Sequence, residues 1–212
     1  MQIRPRRRAR KRESGSALVE FILCCTFFWM PLFLGLVTVG QNLVRAMQVT
    51  QVCRDAAHMF AYGVDFSQAT YQNLLVGLAP SLGLTTSSGG HGVVIFSQIT
   101  YIDSTCGNTN RSCSNSGYYV VTRRVTVGNS TIKSSLFGTP NASLMDSSGT
   151  VTQTGYLNDA STRAAASGAS FASPITLPAG QYAYAAELYV TSPQPTGWST
   201  TGPPSVSARF IF

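Results

Sequence analysis

Phe21-Ile-Leu-Cys-Cys-Thr-Phe-Phe-Trp-Met-Pro-Leu-Phe-Leu-Gly-Leu-Val-Thr-Val39 contains no charged side chain. As a helix rising ~1.5 Å per residue it is roughly 28 Å long, close to the ~30 Å of a bilayer hydrocarbon core. A buried core helix would be relieved by a polar face, and this stretch has none. A cleaved secretory signal needs a small-x-small site after its apolar run; Val39-Gly-Gln-Asn-Leu-Val-Arg45 offers no such site. The stretch therefore reads as a membrane span, about residues 20–40, and it organises what lies on either side.

On its N-terminal side the chain is basic. The formal net charge is +7, a value that suggests nucleic acid until the charges are located. Arg4, Arg6, Arg7, Arg8, Arg10, Lys11 and Arg12 precede Glu13, whereas from Ser14 onward eight basic residues face seven acidic ones. The basicity belongs to a short tail that leads directly into the span, which makes it a topology signal and not a nucleic-acid face. Positive charge stays on the cytoplasmic side, so the N-terminus is expected inside and the chain beyond Gly40 outside.

On its C-terminal side the helix continues and becomes amphipathic. Val49, Val52, Cys53, Ala56, Met59 and Phe60 fall within about 120° of circumference at ~100° per residue. Gln51, Arg54, Asp55 and His58 take the opposite side, and Gly63 is placed to end the helix. Pro31, in mid-span, should kink the helix or break its hydrogen-bond ladder locally.

Glu20 stands at the start of the apolar run. An ionisable group there is a functional hypothesis by default; the competing reading is a carboxylate that snorkels to the headgroups or complements the helix N-terminus. Its context is Arg-Lys-Arg-Glu-Ser-Gly15-Ser16-Ala17-Leu18-Val19-Glu20-Phe21. This resembles the leader of type IV prepilins, a basic segment ending in glycine ahead of a mature chain with glutamate fifth. The segment Gly-Ser-Ala-Leu-Val-Glu-Phe, followed downstream by Gln48-Val-Thr-Gln-Val-Cys-Arg54-Asp55-Ala56-Ala57, is similar to the TadE family, pseudopilins or minor pilins of tight-adherence pilus systems. The similarity covers about residues 13–66; Pro31 departs from it, since family members often carry proline sooner after the phenylalanine.

The resemblance implies processing by a prepilin peptidase between Gly15 and Ser16. It implies that Glu20 pairs with a neighbouring subunit's N-terminal amine, which compensates both charges as they enter a low-dielectric bundle. It also implies that Gln51, Arg54 and Asp55 form a helix contact face. The implied partners are the peptidase, other pilin subunits, the assembly machinery and the lipid bilayer, with no nucleic acid. The implied place is a bacterial inner membrane, single-pass, with possible incorporation in a surface pilus. The expected divisions are a leader 1–15, a long helix 16–63 and an exported domain 64–212. A permanently anchored protein whose outer domain binds an envelope partner shares every feature except the reason for Glu20, and stays open as the alternative.

In the exported part, Gln-Ala-Thr-Tyr-Gln-Asn-Leu-Leu-Val-Gly-Leu-Ala-Pro80 reads as a short helix capped by Ser67. Four strands are expected from alternation: Val93, Ile95, Ile99 and Tyr101; Tyr119, Val121, Val125 and Val127; Tyr182, Tyr184, Ala186, Leu188 and Val190; Val206, Ala208, Phe210 and Phe212. One apolar and one mixed face predict an antiparallel sheet packed on the amphipathic half-helix, an α+β, pilin-like fold. Gly138 to Gly180 reads as a long Ser/Thr/Gly/Ala-rich surface excursion with room for one more strand.

Five cysteines divide by position. Cys24 and Cys25 read as apolar filler in the span, and Cys53 as a small buried hydrophobe. Cys106 and Cys113 flank the loop between the first two strands and are expected to form a disulfide in an oxidising compartment, worth ~2–3 kcal/mol. No metal site or cofactor is expected. Only His58 and His91 could serve as a histidine base, and no Gly-x-Ser-x-Gly turn, phosphate loop or dinucleotide fingerprint is present, so the chain does not read as an enzyme. Glu187, on the mixed face of the third strand, is expected to pair with a basic residue or to stay solvated.

Overall fold

The computed structural model describes residues 15–106, 113–164, 176–191 and 205–212; the basic tail 1–14 and part of the 138–180 excursion lie outside them. The chain divides into two compact units at Val44/Arg45, each considered separately below.

In the first unit, α1 (Ser16–Cys24) runs into a π-helical turn, Cys25–Trp29, and then into α2 (Met30–Ala61). The expected disturbance at Pro31 takes this form. Proline has no amide to donate and its ring crowds the carbonyl four residues back. The turn before it widens, and the Met30 amide bonds the Cys25 carbonyl, five residues away, as π-bulges do. Within this segment Leu18, Phe21, Phe27, Trp29, Phe33 and Leu36 are all exposed.

The second unit begins within α2. Val49, Cys53, Ala56 and Phe60 are buried, with Val52 and Met59 packed beside them, as the apolar stripe predicts; Ala57 joins them. The helix ends on Gly63, at φ 89°. The Gly63 amide bonds the Phe60 carbonyl and the Val64 amide bonds Met59, the paired bonds of a Schellman cap. A short α3 (Ala69–Leu78) follows, but Ser67 does not cap it: Gln68 occupies the cap position without a side-chain bond. Ser67 instead gives its amide and hydroxyl to Asp65, an Asx turn that competes with capping.

β1 (Gly92–Tyr101), β2 (Tyr119–Gly128), β3 (Tyr182–Thr191) and β4 (Ser205–Ile211) form an antiparallel sheet in the order β2-β1-β3-β4. One face packs on the helix through Val94, Phe96, Val125, Val127, Ala186, Leu188 and Val190. Phe96 stacks on Phe66 at 4.3 Å and lies 5.1 Å from Phe60, ring centre to ring centre.

The second face is not the mixed, half-wet surface expected. The 129–137 segment covers it: Ile132 packs on Val93, Ile95 and Tyr189, and Phe137 packs on Ile99, Val121 and Ala183. A bulge complicates β2. Gln98 pairs with Arg123 and Ile99 with Val121, so Thr122 is the extra residue. Tyr119 and Val121 therefore face away from the helix while Val125 and Val127 face it, although strict alternation puts all four on one side.

Among the described residues, the excursion forms 3₁₀ turns at Ala142–Leu144 and Ala160–Thr162 and a short α4 (Gln153–Asn158), with isolated bridges where one further strand was expected. It runs along β2's outer edge. Arg124 donates its amide to Gly149 and Val151 to Thr122, which leaves that edge partly covered.

Candidate processing and assembly segment

Gly15 and Ser16 begin the described helix, and both are exposed. Among the described residues, nothing lies within 4 Å of a Cβ built on Gly15. Gly15 makes no side-chain cap, and its carbonyl accepts the Val19 amide at 3.4 Å.

Ser16 donates its hydroxyl to Glu20 Oε1 at 3.3 Å. One helical turn separates the two, which brings the carboxylate back beside the residue whose amine would be exposed by cleavage after Gly15. Glu20 is exposed and has no ion pair among the described residues.

In the second unit Gln51, Arg54 and Asp55 are exposed on α2, opposite the stripe that holds the helix to the sheet. Arg54 and Asp55 have no ion pair among the described residues. Cys53, on the buried side, places its sulfur 3.4 Å from the Ala186 carbonyl and 3.3 Å from that of Ala208. Burial pushes its thiol up to about 12, which keeps it protonated and inert.

Cys106 and Cys113 are joined in a disulfide with Cα atoms 5.9 Å apart. Glu187 is fully buried and paired, not solvated. It accepts from Ser135, from the Leu136 amide at 3.2 Å and from the Tyr189 hydroxyl at 3.0 Å, with Arg209 Nε at 3.6 Å. Burial and the neighbouring Glu187 charge raise the Tyr189 phenol to about 12. Glu187 thus fastens the 129–137 segment to the sheet.

Two features escaped the sequence reading. Asp65 pairs with Arg123 of β2, tying the helix exit to the sheet. Asn115, fully buried, organises the excursion through its side-chain amide. Neither sits in a motif, and only the tertiary fold brings their partners close.

A groove of about 360 Å³ beside β2 is lined by Ser67, Gln72, Arg124, Asp146 and Ser148, among others. The Asp146 carboxylate is occupied by the Ser148 amide and hydroxyl and the Thr150 amide, and no histidine or cysteine lines the groove. Among the described residues no three His, Cys, Asp or Glu side chains gather as a metal would require.

Fold and segment together define an α+β protein with, among the described residues, one helix, near the N-terminus, long and apolar enough to cross a membrane. Residues 15–58 match the model of the TadE-like protein family. That match covers Gly15, Ser16 and Glu20, the apolar stretch and most of the amphipathic half-helix, the region in which the sequence resembles the family. No curated protein and no solved structure matches the chain.

Proposed function

We propose that this chain is a TadE-like minor pilin or pseudopilin of a tight-adherence type IV pilus. It enters a bacterial inner membrane with its basic tail in the cytoplasm, is cut after Gly15, and moves from the bilayer into a filament or its initiating complex. The chain performs no chemistry: it assembles through its helix and takes part in surface adhesion through its exported domain. The observation that carries this reading is Glu20 one turn from Ser16, directly after Gly15, in a segment that matches the family. Cleavage frees an ammonium at Ser16, and Glu20 supplies the charge to compensate a neighbouring subunit's ammonium as both leave the headgroup region.

Two consequences are measurable in the native host. The protein should co-purify with sheared pili; recovery from membranes alone would favour a permanently anchored envelope-binding protein instead. Glu20→Ala should insert normally but reduce pilus number about tenfold or more, since an unpaired buried charge costs several kcal/mol. Pili at wild-type number in that mutant would contradict the pairing role.

A further inference from the structure

Cys106 is the one non-glycine residue with positive φ among those described, at 54°. A side chain at that backbone angle is held there at a cost by its surroundings. Here the surroundings are the disulfide and a small apolar cluster: Cys106 and Cys113 pack with Ile102, Val120, Leu157 and Tyr156. Leu157 and Tyr156 belong to α4 in the excursion.

Two residues beyond Cys113, Asn115 is fully buried, and both ends of its side-chain amide are committed to the same excursion. Its nitrogen donates to the carbonyls of Tyr156 and Asp159 at 2.9 and 2.8 Å and to the Thr162 hydroxyl at 3.1 Å. Its oxygen accepts from Arg163 Nε at 2.7 Å, and its backbone amide donates to Leu157 at 3.0 Å. Arg163 also donates to the Ser114 carbonyl at 2.8 Å and lies 3.9 Å over the Tyr118 ring. Arg163 bridges to Val120, and the Ala164 amide donates to the Tyr119 carbonyl at 2.8 Å. The excursion is thus held over the start of β2's outer edge by a bolt, 113–118, whose first residue is the disulfide cysteine.

We propose that the Cys106–Cys113 disulfide is a redox latch that keeps residues 153–164 closed over the β2 edge. In the oxidised protein the bond holds Cys106 in its left-handed conformation and fixes the bolt beneath α4. A dithiol opens it: the reductant's two sulfurs close into their own disulfide, and its two electrons and two protons leave Cys106 and Cys113 as thiols. Cys106 then relaxes out of the cluster with Leu157 and Tyr156, the Asn115 contacts loosen, and the edge at Tyr119 and Val120, which Ala164 and Arg163 pair, is bared. An open strand edge is a pairing surface, so the latch makes its exposure depend on the redox state of the compartment.

The test is amide hydrogen exchange on the full-length protein in detergent micelles, oxidised, reduced with dithiothreitol, and as Cys113→Ser. Peptides from 113–118 and 153–164 should exchange about tenfold faster or more in the reduced and Cys113→Ser forms, while those from β1 and β3 stay protected. Asn115→Ala, with the disulfide intact, should loosen 153–164 in the same way. Equal protection of 153–164 in oxidised and reduced protein would overturn the latch. So would acceleration that extends equally into β1 and β3, which would make the bond a staple for the whole domain. Continued protection of 153–164 in Asn115→Ala would remove the link on which the latch depends.

Discussion

The Asp65 carboxylate receives the Ser67 backbone amide and hydroxyl, the Gln68 side-chain amide and the Arg123 guanidinium. Burial opposes its ionisation, yet these donors outweigh it and bring the carboxyl from 3.8 down to about 2. A carboxyl depressed in the folded state stabilises above its unfolded value and loses that contribution as pH falls through its folded one. The thermal midpoint of the wild type should therefore exceed that of Asp65→Asn at pH 6, and the gap should close between pH 4 and pH 2. A gap unchanged at pH 2 would mean that the carboxylate's charge is not what stabilises the turn. Arg124 presents the opposite case. It is 8% exposed, its Nε and Nη2 have no hydrogen-bond partner among the described residues, and neither has Ser97 Oγ opposite it in the ladder. Burial lowers the guanidinium to about 10, against the pull of Glu187. Because Arg209 already pairs with Glu187, Arg124→Met removes unmet donors without orphaning that carboxylate. It should raise stability by about 1 kcal/mol in thermal or denaturant unfolding; a loss of that size would show that its charge is needed.

At the scale of elements, the helix in the second unit is held by few large contacts. Phe60 is 2% exposed, with Phe96 and Tyr184 rings at 5.1 and 5.6 Å. Phe60→Ala should cost about 3–5 kcal/mol, read as a lower unfolding midpoint of the full-length protein in detergent. A loss below about 1 kcal/mol would mean that the helix is not anchored through this ring. The helix was legible in the sequence because its period is regular and its two environments differ sharply: an uncharged stretch, then a stripe. The strands were legible as elements but not as faces. β1 is buried on both sides, with Val94 and Phe96 toward the helix and Val93 and Ile95 away from it, so alternation in hydropathy carries little information along it. In β2 the extra Thr122 reverses the faces midway, and nothing in the residue types announces it. Ser67 misled for a related reason: a serine before a helix also suits an Asx turn, and the nearby Asp65 decided between them.

For the molecule as a whole, the sequence made plain what depends on local chain chemistry: one span, one stray carboxylate, one basic tail, one pair of cysteines seven residues apart. What stayed hidden depends on distant segments meeting. The 129–137 cover over the sheet, the Asn115 anchor and the Glu187 cluster each join residues more than thirty positions apart. The function proposed rests mainly on the first kind of feature, at Gly15, Ser16 and Glu20, where a filament subunit and a fixed anchor part ways. The decisive measurement is the intact mass and N-terminal sequence of the protein from its native membrane, with prepilin peptidase present. The account predicts a chain beginning at Ser16, whereas a chain that still begins at Met1 or Gln2 would contradict it.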